Sequence, residues 1–206
     1  MRVLVIDSAT EACSVALFEG DALLDGRYEV IGRGHAERLV PMISELPGRG
    51  RAQRIAVSLG PGSFTGVRIG LAAARALGLA WHVQVLGYPT LALVAAMARE
   101  PNPGPVTVCM SGGHGEWFVQ DFGADGLPEH ELRSQTPERA REGFHHRVAA
   151  GTRARELLQY AGPGNVALDI LPDARKFHLL ASTLLDSDPA PIYGRGPDAR
   201  LPGARK

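Results

Sequence analysis

The sequence is short of cysteine and of net charge, and each shortage narrows what the chain can be. Its 206 residues include only two cysteines, Cys13 and Cys109. Both lie in apolar, strand-like runs and no Cys-x-x-Cys occurs, so they read as small buried residues of a reducing compartment rather than as a disulfide or a ligand pair. Basic and acidic residues balance at 22 each, which argues against a DNA-coating protein while leaving room for a local basic patch. No apolar run reaches the roughly 18 residues that a membrane span needs. The N-terminal MRVLVIDSAT turns polar too soon for a secretory signal, so a cytoplasmic, membrane-free protein is expected. The 7 histidines are dispersed. His145 and His146 are adjacent and would point apart in a regular element, and His114 shares a turn with Glu116 but with no third ligand. No His-Glu-x-x-His or His-x-x-x-His occurs, and no metal site is expected.

What is present is an ordinary globular composition, 45% hydrophobic and 21% charged. Apolar runs at Arg2–Asp7, Cys13–Phe18 and Ala22–Val30 predict three strands, followed by a helix over His35–Leu46 with Leu39, Met42, Ile43 and Leu46 on one face. Pro41 should bend that helix. A strand at Arg54–Leu59, a long helix from about Gly66 to Trp81, a strand at Val83–Leu86 and a helix at Thr90–Arg99 complete the first half. REPNPGP, Arg99 to Pro105, is the best linker, dividing a first domain, residues 1–101, from a second, smaller one, residues 102–206. A hairpin of Val106–Met110 and Glu116–Phe122 opens the second half, with short helices near Pro137–Glu142, Thr152–Tyr160 and Asp173–Leu185. The tail GRGPDARLPGARK reads as a solvated extension, with an RNA- or partner-contacting arm as the sharper option. VLVIDSATEACSVALF in the first half is echoed by VTVCMSGGHGEWFVQDF in the second, each a strand, a polar turn and a strand, as in two subdomains built on one plan.

The stretch SLGPGSFTGVRIG, Ser58 to Gly70, resembles several catalytic loops and fits none. A Walker loop requires a lysine where Val67 stands, a dinucleotide loop requires its third glycine one residue earlier, and a nucleophile elbow requires glycines where Pro61 and Thr65 flank Ser63. What survives is a turn in which Gly60 and Gly62 allow positive φ, with Thr65 as the N-cap of the next helix. A structural or partner-facing turn is favoured over anion binding at the helix end. In that helix Gly66, Gly70, Ala74 and Gly78 recur at every fourth position as a smooth ridge, while Arg68, Arg75 and His82 form a narrow polar stripe. The helix is apolar nearly all round, so both of its sides must be covered. One side belongs to the protein's own sheet. The ridge admits either a neighbouring helix or a second subunit, and a subunit interface is the expectation. At the first hairpin, Asp7, Ser8 and Thr10 stand where actin-like kinases cradle phosphate. The corresponding position in the second half is Ser111 rather than an acid, which weakens phosphoryl transfer as an activity. Turn capping is the simpler role for Asp7 and Thr10.

Taken together, MRVLVIDSATEACSVALFEG, HAERLVPMI and SLGPGSFTGVRIGLAAARALGLA resemble the TsaB family, formerly called YeaZ. The likeness is close over residues 1–98 and looser through GEWFVQDF and PIYGR. It implies an α/β actin-like (ASKHA) fold of two lobes, the second shortened. It also implies a non-catalytic scaffold or activator that works with TsaD and TsaE in transferring threonylcarbamoyl to the adenosine next to the tRNA anticodon, and that meets tRNA only through the complex. Pairing with TsaD, or with a second copy through the same surface, would use His35, Arg38, Leu39, Met42, Gly66, Arg68, Gly70, Ala74, Arg75 and Gly78. No cofactor is required. Nucleotide, ADP or ATP at the TsaD junction, would be touched by Asp7, Ser8 and Thr10. The histidine-ligated iron site of TsaD-like proteins has no counterpart in Gly87–Val94, which contains no histidine. The turn SGGHGEW, Ser111 to Trp117, departs from the family's Asp-Ala-Arg-x-Gly-Glu-like pattern. The alternative is an actin-like phosphotransferase or ATPase using Asp7 and Thr10; a peptidase has neither a metal triad nor a nucleophile elbow to support it.

Overall fold

A computed structural model describes residues 1–194, so the tail beyond Gly194 lies outside the described residues. Strands β1 (Arg2–Asp7), β2 (Ala12–Glu19), β3 (Ala22–Val30), β4 (Arg54–Ser58) and β5 (Gln84–Tyr88) form one sheet in the order β3-β2-β1-β4-β5. β1, β2 and β3 pair antiparallel as a meander, and β1, β4 and β5 pair parallel. The parallel connections are made by helices, α1 (His35–Ser44) between β3 and β4, and α2 (Phe64–Trp81) between β4 and β5, as parallel pairing requires a crossover. α3 (Thr90–Arg99) follows β5.

The second sheet repeats this plan. β6 (Val106–Ser111), β7 (Trp117–Phe122) and β8 (Arg133–Gln135) pair antiparallel, and β6, β9 (Val148–Ala150) and β10 (Val166–Leu168) pair parallel, giving the order β10-β9-β6-β7-β8. Strand for strand, β6–β10 correspond to β1–β5, so the echo between the two halves of the sequence is a true repeat of topology. The second copy is reduced: β8, β9 and β10 have 3 residues each, and the crossover helices shrink to α4 (Pro137–Glu142) and α5 (Ala154–Leu157). This is the two-lobed actin-like architecture, with a shortened second lobe.

The cores explain the pattern of strands. β2 is buried along almost its whole length because both its faces are covered, which is why its sequence runs apolar rather than alternating. One face of the first sheet meets α1 and α2 through Leu4, Ile6, Leu17, Leu39, Met42 and Leu71. The other face carries Val5, Phe18, Tyr88 and, from α3, Leu93. The remaining apolar residues of α3, including Leu91, Val94 and Ala98, enter the core of the second lobe with Val108 and Phe122. One helix therefore serves both lobes. The region predicted as a helix over Asp173–Leu185 is instead two 3₁₀ turns, Ala174–Leu179 and Ser182–Leu184. The first returns to the first sheet, where Ala174 N–H donates to Ser14 Oγ at 2.9 Å and Phe177 packs on Tyr88, ring centroids 5.4 Å apart.

Candidate partner-binding face and interlobe cleft

The loop after β4 is a structural turn. Gly60 takes a φ of +94°, as the sequence suggested, whereas Gly62 is needed for close approach: a Cβ there would lie 2.0 Å from the Ala9 carbonyl oxygen. Ser63, not Thr65, caps α2, accepting from Gly66 N–H at 3.2 Å, because the helix begins at Phe64. Three amides that an anion would use are already engaged: Gly60 with Thr90 Oγ1, Ser63 with the Ala9 carbonyl and Gly66 with Ser63 Oγ.

The glycine ridge turns inward, which corrects its assignment to a subunit interface. Gly66, Gly70, Ala74 and Gly78 are all buried on the protein's own sheet. A Cβ on Gly66 would sit 2.1 Å from the Ser8 carbonyl oxygen, one on Gly70 2.5 Å from Ser8 Oγ, and one on Gly78 2.6 Å from the Val85 side chain. The small residues let α2 lie close on β1 and β5, so internal packing uses the ridge. His35, Leu39 and Met42 are likewise interior, with His35 Nε2 3.3 Å from the Ala12 carbonyl. Arg38 is half-buried and held by Glu29 and Glu45 at 2.5 and 2.8 Å. Of the ten predicted interface residues, only Arg68 and Arg75 lie openly on the surface.

The outward side of the same helices carries an exposed apolar stripe. On α2, Phe64, Ala72, Ala76, Leu79 and Ala80 are exposed along one stripe, and on the adjacent α1 Val40 is exposed beside Pro41. Val40 is 59% accessible, Phe64 56% and Leu79 79%, so each retains most of its apolar area to give to another molecule. Arg68 stacks its guanidinium on the Phe64 ring at 3.6 Å and donates to Tyr193 Oη at 3.1 Å, fixing one end of the stripe. The sequence signal for these residues was the all-round apolar character of α2. What it could not tell was which arc met the sheet.

A cleft separates the lobes. One part, about 560 Å³, is lined by Glu11, Tyr28, Ser111, Arg153, Asp169 and Asp173 among others, and an adjoining part of about 230 Å³ by Thr10, Pro61, Ser63 and Thr152. The first lobe's hairpin reaches it through Thr10 and Glu11. Asp7 and Ser8 do not: they are 1% and 0% accessible, Ser8 Oγ donates to the Gly66 carbonyl at 2.9 Å, and Asp7 accepts from Ala9 N–H and Tyr88 Oη at 3.1 Å each. Their predicted nucleotide contact is thus corrected, the protein's own atoms having closed over both side chains. Burial pushes the Asp7 carboxyl up to about 6, against the opposing pull of the Ala9 amide and the Tyr88 hydroxyl. The larger part of the cleft is lined by Glu11, Asp169, Asp173 and Arg153; Asp173 is paired with Arg175 and Asp169 with Arg155, and Arg153 donates to Ser111 Oγ and to Glu156. Burial also pushes the thiols of Cys13 and Cys109 up to about 12, as befits inert packing residues.

Comparison with known proteins agrees with this architecture. The profile of the TsaD family, tRNA N6-adenosine threonylcarbamoyltransferase, matches residues 29–126. The tRNA threonylcarbamoyladenosine biosynthesis protein TsaB of Escherichia coli K12 is 41% identical over 107 residues, 50% of this chain and 46% of that protein. The crystal structure of YeaZ from Pseudomonas aeruginosa superposes with a TM-score of 0.78 at 30% identity, over 93% of this chain and 99% of the other. The chain belongs to the TsaB (YeaZ) family. A second Pseudomonas aeruginosa structure, of a protein similar to peptidase YeaZ, gives a TM-score of 0.81 at 28% identity over 94% and 99% of the two chains. The matched region spans about half the length of the curated TsaB relatives. The ethanolamine utilization protein EutJ of Carboxydothermus hydrogenoformans, at 11% identity and a TM-score of 0.51, shares the fold alone. Among the described residues of this TsaB-family chain, no helix is long and apolar enough to cross a membrane.

Proposed function

We propose that this chain acts in tRNA threonylcarbamoyladenosine biosynthesis as a non-catalytic scaffold or activator of TsaD, with TsaE as the third component, in the cytoplasm. TsaD docks on the outer face of α1 and α2. The observation that carries this reading is the exposed apolar stripe of Val40, Phe64 and Leu79 with the small residues between them. Flat, alanine-rich helical surface flanked by large apolar anchors suits a helical partner face. The names of the TsaB relatives and the TsaD-family profile over residues 29–126 support the pathway.

The phosphotransferase alternative loses its acid, since Asp7 is buried and hydrogen-bonded. No cofactor is required in this reading; the junction with TsaD is where ADP or ATP would bind, and tRNA is met through the complex.

The test is co-purification of the chain with TsaD, together with mass spectrometry of modified tRNA from cells dependent on it. Leu79→Arg and Val40→Glu place charge on surface that is already solvated, so the fold stays intact by circular dichroism. Each should weaken TsaD binding on the order of 30-fold or more, the loss typical of an interface hot spot, and reduce modification in parallel. Undiminished TsaD binding by the double variant would remove this face from the interface. Sedimentation of the free chain shows whether a second copy uses the same surface, in which case both variants also shift it to monomer.

A further inference from the structure

We infer that the second lobe carries a divalent-cation site, of the nitrogen- and oxygen-ligated kind suited to zinc, built from Glu129, His145 and His146. Sequence reasoning placed the two histidines apart because adjacent residues diverge in a regular helix or strand. They lie instead in the irregular connection between α4 and β9, where their ring centroids are 4.2 Å apart. Glu129 reaches them from the connection between β7 and β8. One candidate ligand atom from each of the three side chains lies within 4.8 Å of the others.

The hydrogen bonds around the two rings decide which nitrogens are available. His145 Nδ1 is 3.1 Å from the Gly143 carbonyl, an acceptor only, so Nδ1 carries the proton and Nε2 keeps its lone pair. His146 Nδ1 is 3.1 Å from Thr107 Oγ1. That hydroxyl donates to Asp121 Oδ1 at 2.6 Å, so its oxygen accepts from the ring, and His146 too presents Nε2. Asp121 Oδ1 itself is 3.8 Å from the ring nitrogen, and Arg133 balances the charge of its other oxygen. Histidine backed by a hydroxyl and a buried carboxylate is the supporting arrangement that fixes ring and tautomer at metal sites. His146 is 9% accessible and locked in place, while Glu129 is more open, so a cation can enter from the Glu129 side.

The spacing fits. His146 Nε2 and a Glu129 carboxylate oxygen are 3.2 Å apart, close to the edge of about 3.3 Å in a zinc tetrahedron with bonds of about 2.0–2.1 Å. His145 is exposed, and Nε2 is the ring nitrogen that its bond to the Gly143 carbonyl leaves available. Three protein ligands leave a fourth position for water or for a donor from a partner. The competing occupant of His146 Nε2 is a proton: the doubly protonated ring pairs with Glu129, and a cation must displace that proton to bind.

Untagged protein titrated with zinc chloride by calorimetry should bind one equivalent with a dissociation constant in the micromolar range or below, and cobalt chloride should give the visible absorption of a low-symmetry site. Glu129→Gln, His145→Ala and His146→Ala should each weaken zinc binding at least tenfold. His145→Ala lies at an exposed position and keeps the fold. As a positioning residue, Thr107 is tested by Thr107→Val, which should weaken binding about tenfold while Thr107→Ser restores it. Zinc should raise the melting temperature of the wild type and leave that of the His145→Ala/Glu129→Gln double variant unchanged. No binding below 1 mM, or binding that survives the double variant within threefold, overturns the site and leaves only the ion pair.

Discussion

Asp7 shows how a residue can carry the look of chemistry while serving the fold. It closes β1 beneath the first hairpin and joins a chain in which Tyr88 Oη lies 3.1 Å from its carboxyl and 3.2 Å from the Ile6 carbonyl. Its folded pKa of about 6 lies above its ordinary value of 3.8, so the folded state holds the proton more tightly than the unfolded one. The stability this confers is complete below about pH 4 and is lost as the pH rises through about 6. Asp7→Asn stays neutral at every pH; its amide oxygen can accept from Ala9 N–H, and its NH2 can donate to Tyr88 Oη once that hydroxyl turns its proton to the Ile6 carbonyl. Relative to the wild type it should therefore gain stability between pH 4.5 and 7.5, by up to roughly 3 kcal/mol for a shift of about two units, read from urea midpoints at the two pH values. A difference that does not vary with pH would mean that the carboxyl is ionised throughout. His145 and His146 make the complementary case. Their separation was inferred from regular geometry, and the irregular backbone that brings them together leaves no periodic mark in the sequence.

At the scale of the element, α2 was legible in its existence and approximate length, but the arc that meets the sheet was not the one expected. The recurrence of small residues at every fourth position states only that something approaches closely. The sheet does so, at Ser8. Gly66→Ala should thus destabilise the protein, toward the upper end of the ~1–3 kcal/mol of overpacked sites, because the new methyl meets a backbone oxygen that cannot turn away. Gly70→Ala should also destabilise, since the Ser8 hydroxyl that it meets is buried and would lose its bond to the Gly66 carbonyl on turning away. In neither case does the gain in helix propensity, about 1 kcal/mol, offset the clash. Ser63→Ala removes the cap and should cost about 1 kcal/mol, whereas Thr65→Ala should have little effect. Denaturant unfolding of the four variants orders them, and equal losses at Ser63 and Thr65 would contradict the assignment of the cap.

Across the whole molecule, the repeated topology and the return of residues 174–179 to the first sheet tie the lobes together. Phe177 lies on both Phe18 and Tyr88, and α3 contributes to both cores. Phe177→Ala should lower stability by about 2–3 kcal/mol, somewhat less than the 3–5 of a fully buried phenylalanine, while thermal unfolding remains a single transition. Two separated transitions would show that the lobes are coupled more weakly than their shared helix implies. The sequence by itself determined the strand and helix order of the first lobe, the duplication, the burial of both cysteines and the family resemblance, because these rest on local periodicity and on contiguous motifs. Only the tertiary structure decided that the glycine ridge faces the sheet, that Val40, Phe64 and Leu79 face outward, that Asp7 and Ser8 are sealed from the cleft, and that Glu129 meets two histidines. Periodicity records that a face is covered, but the identity of the cover depends on segments far apart in the chain, and only the folded backbone brings those together.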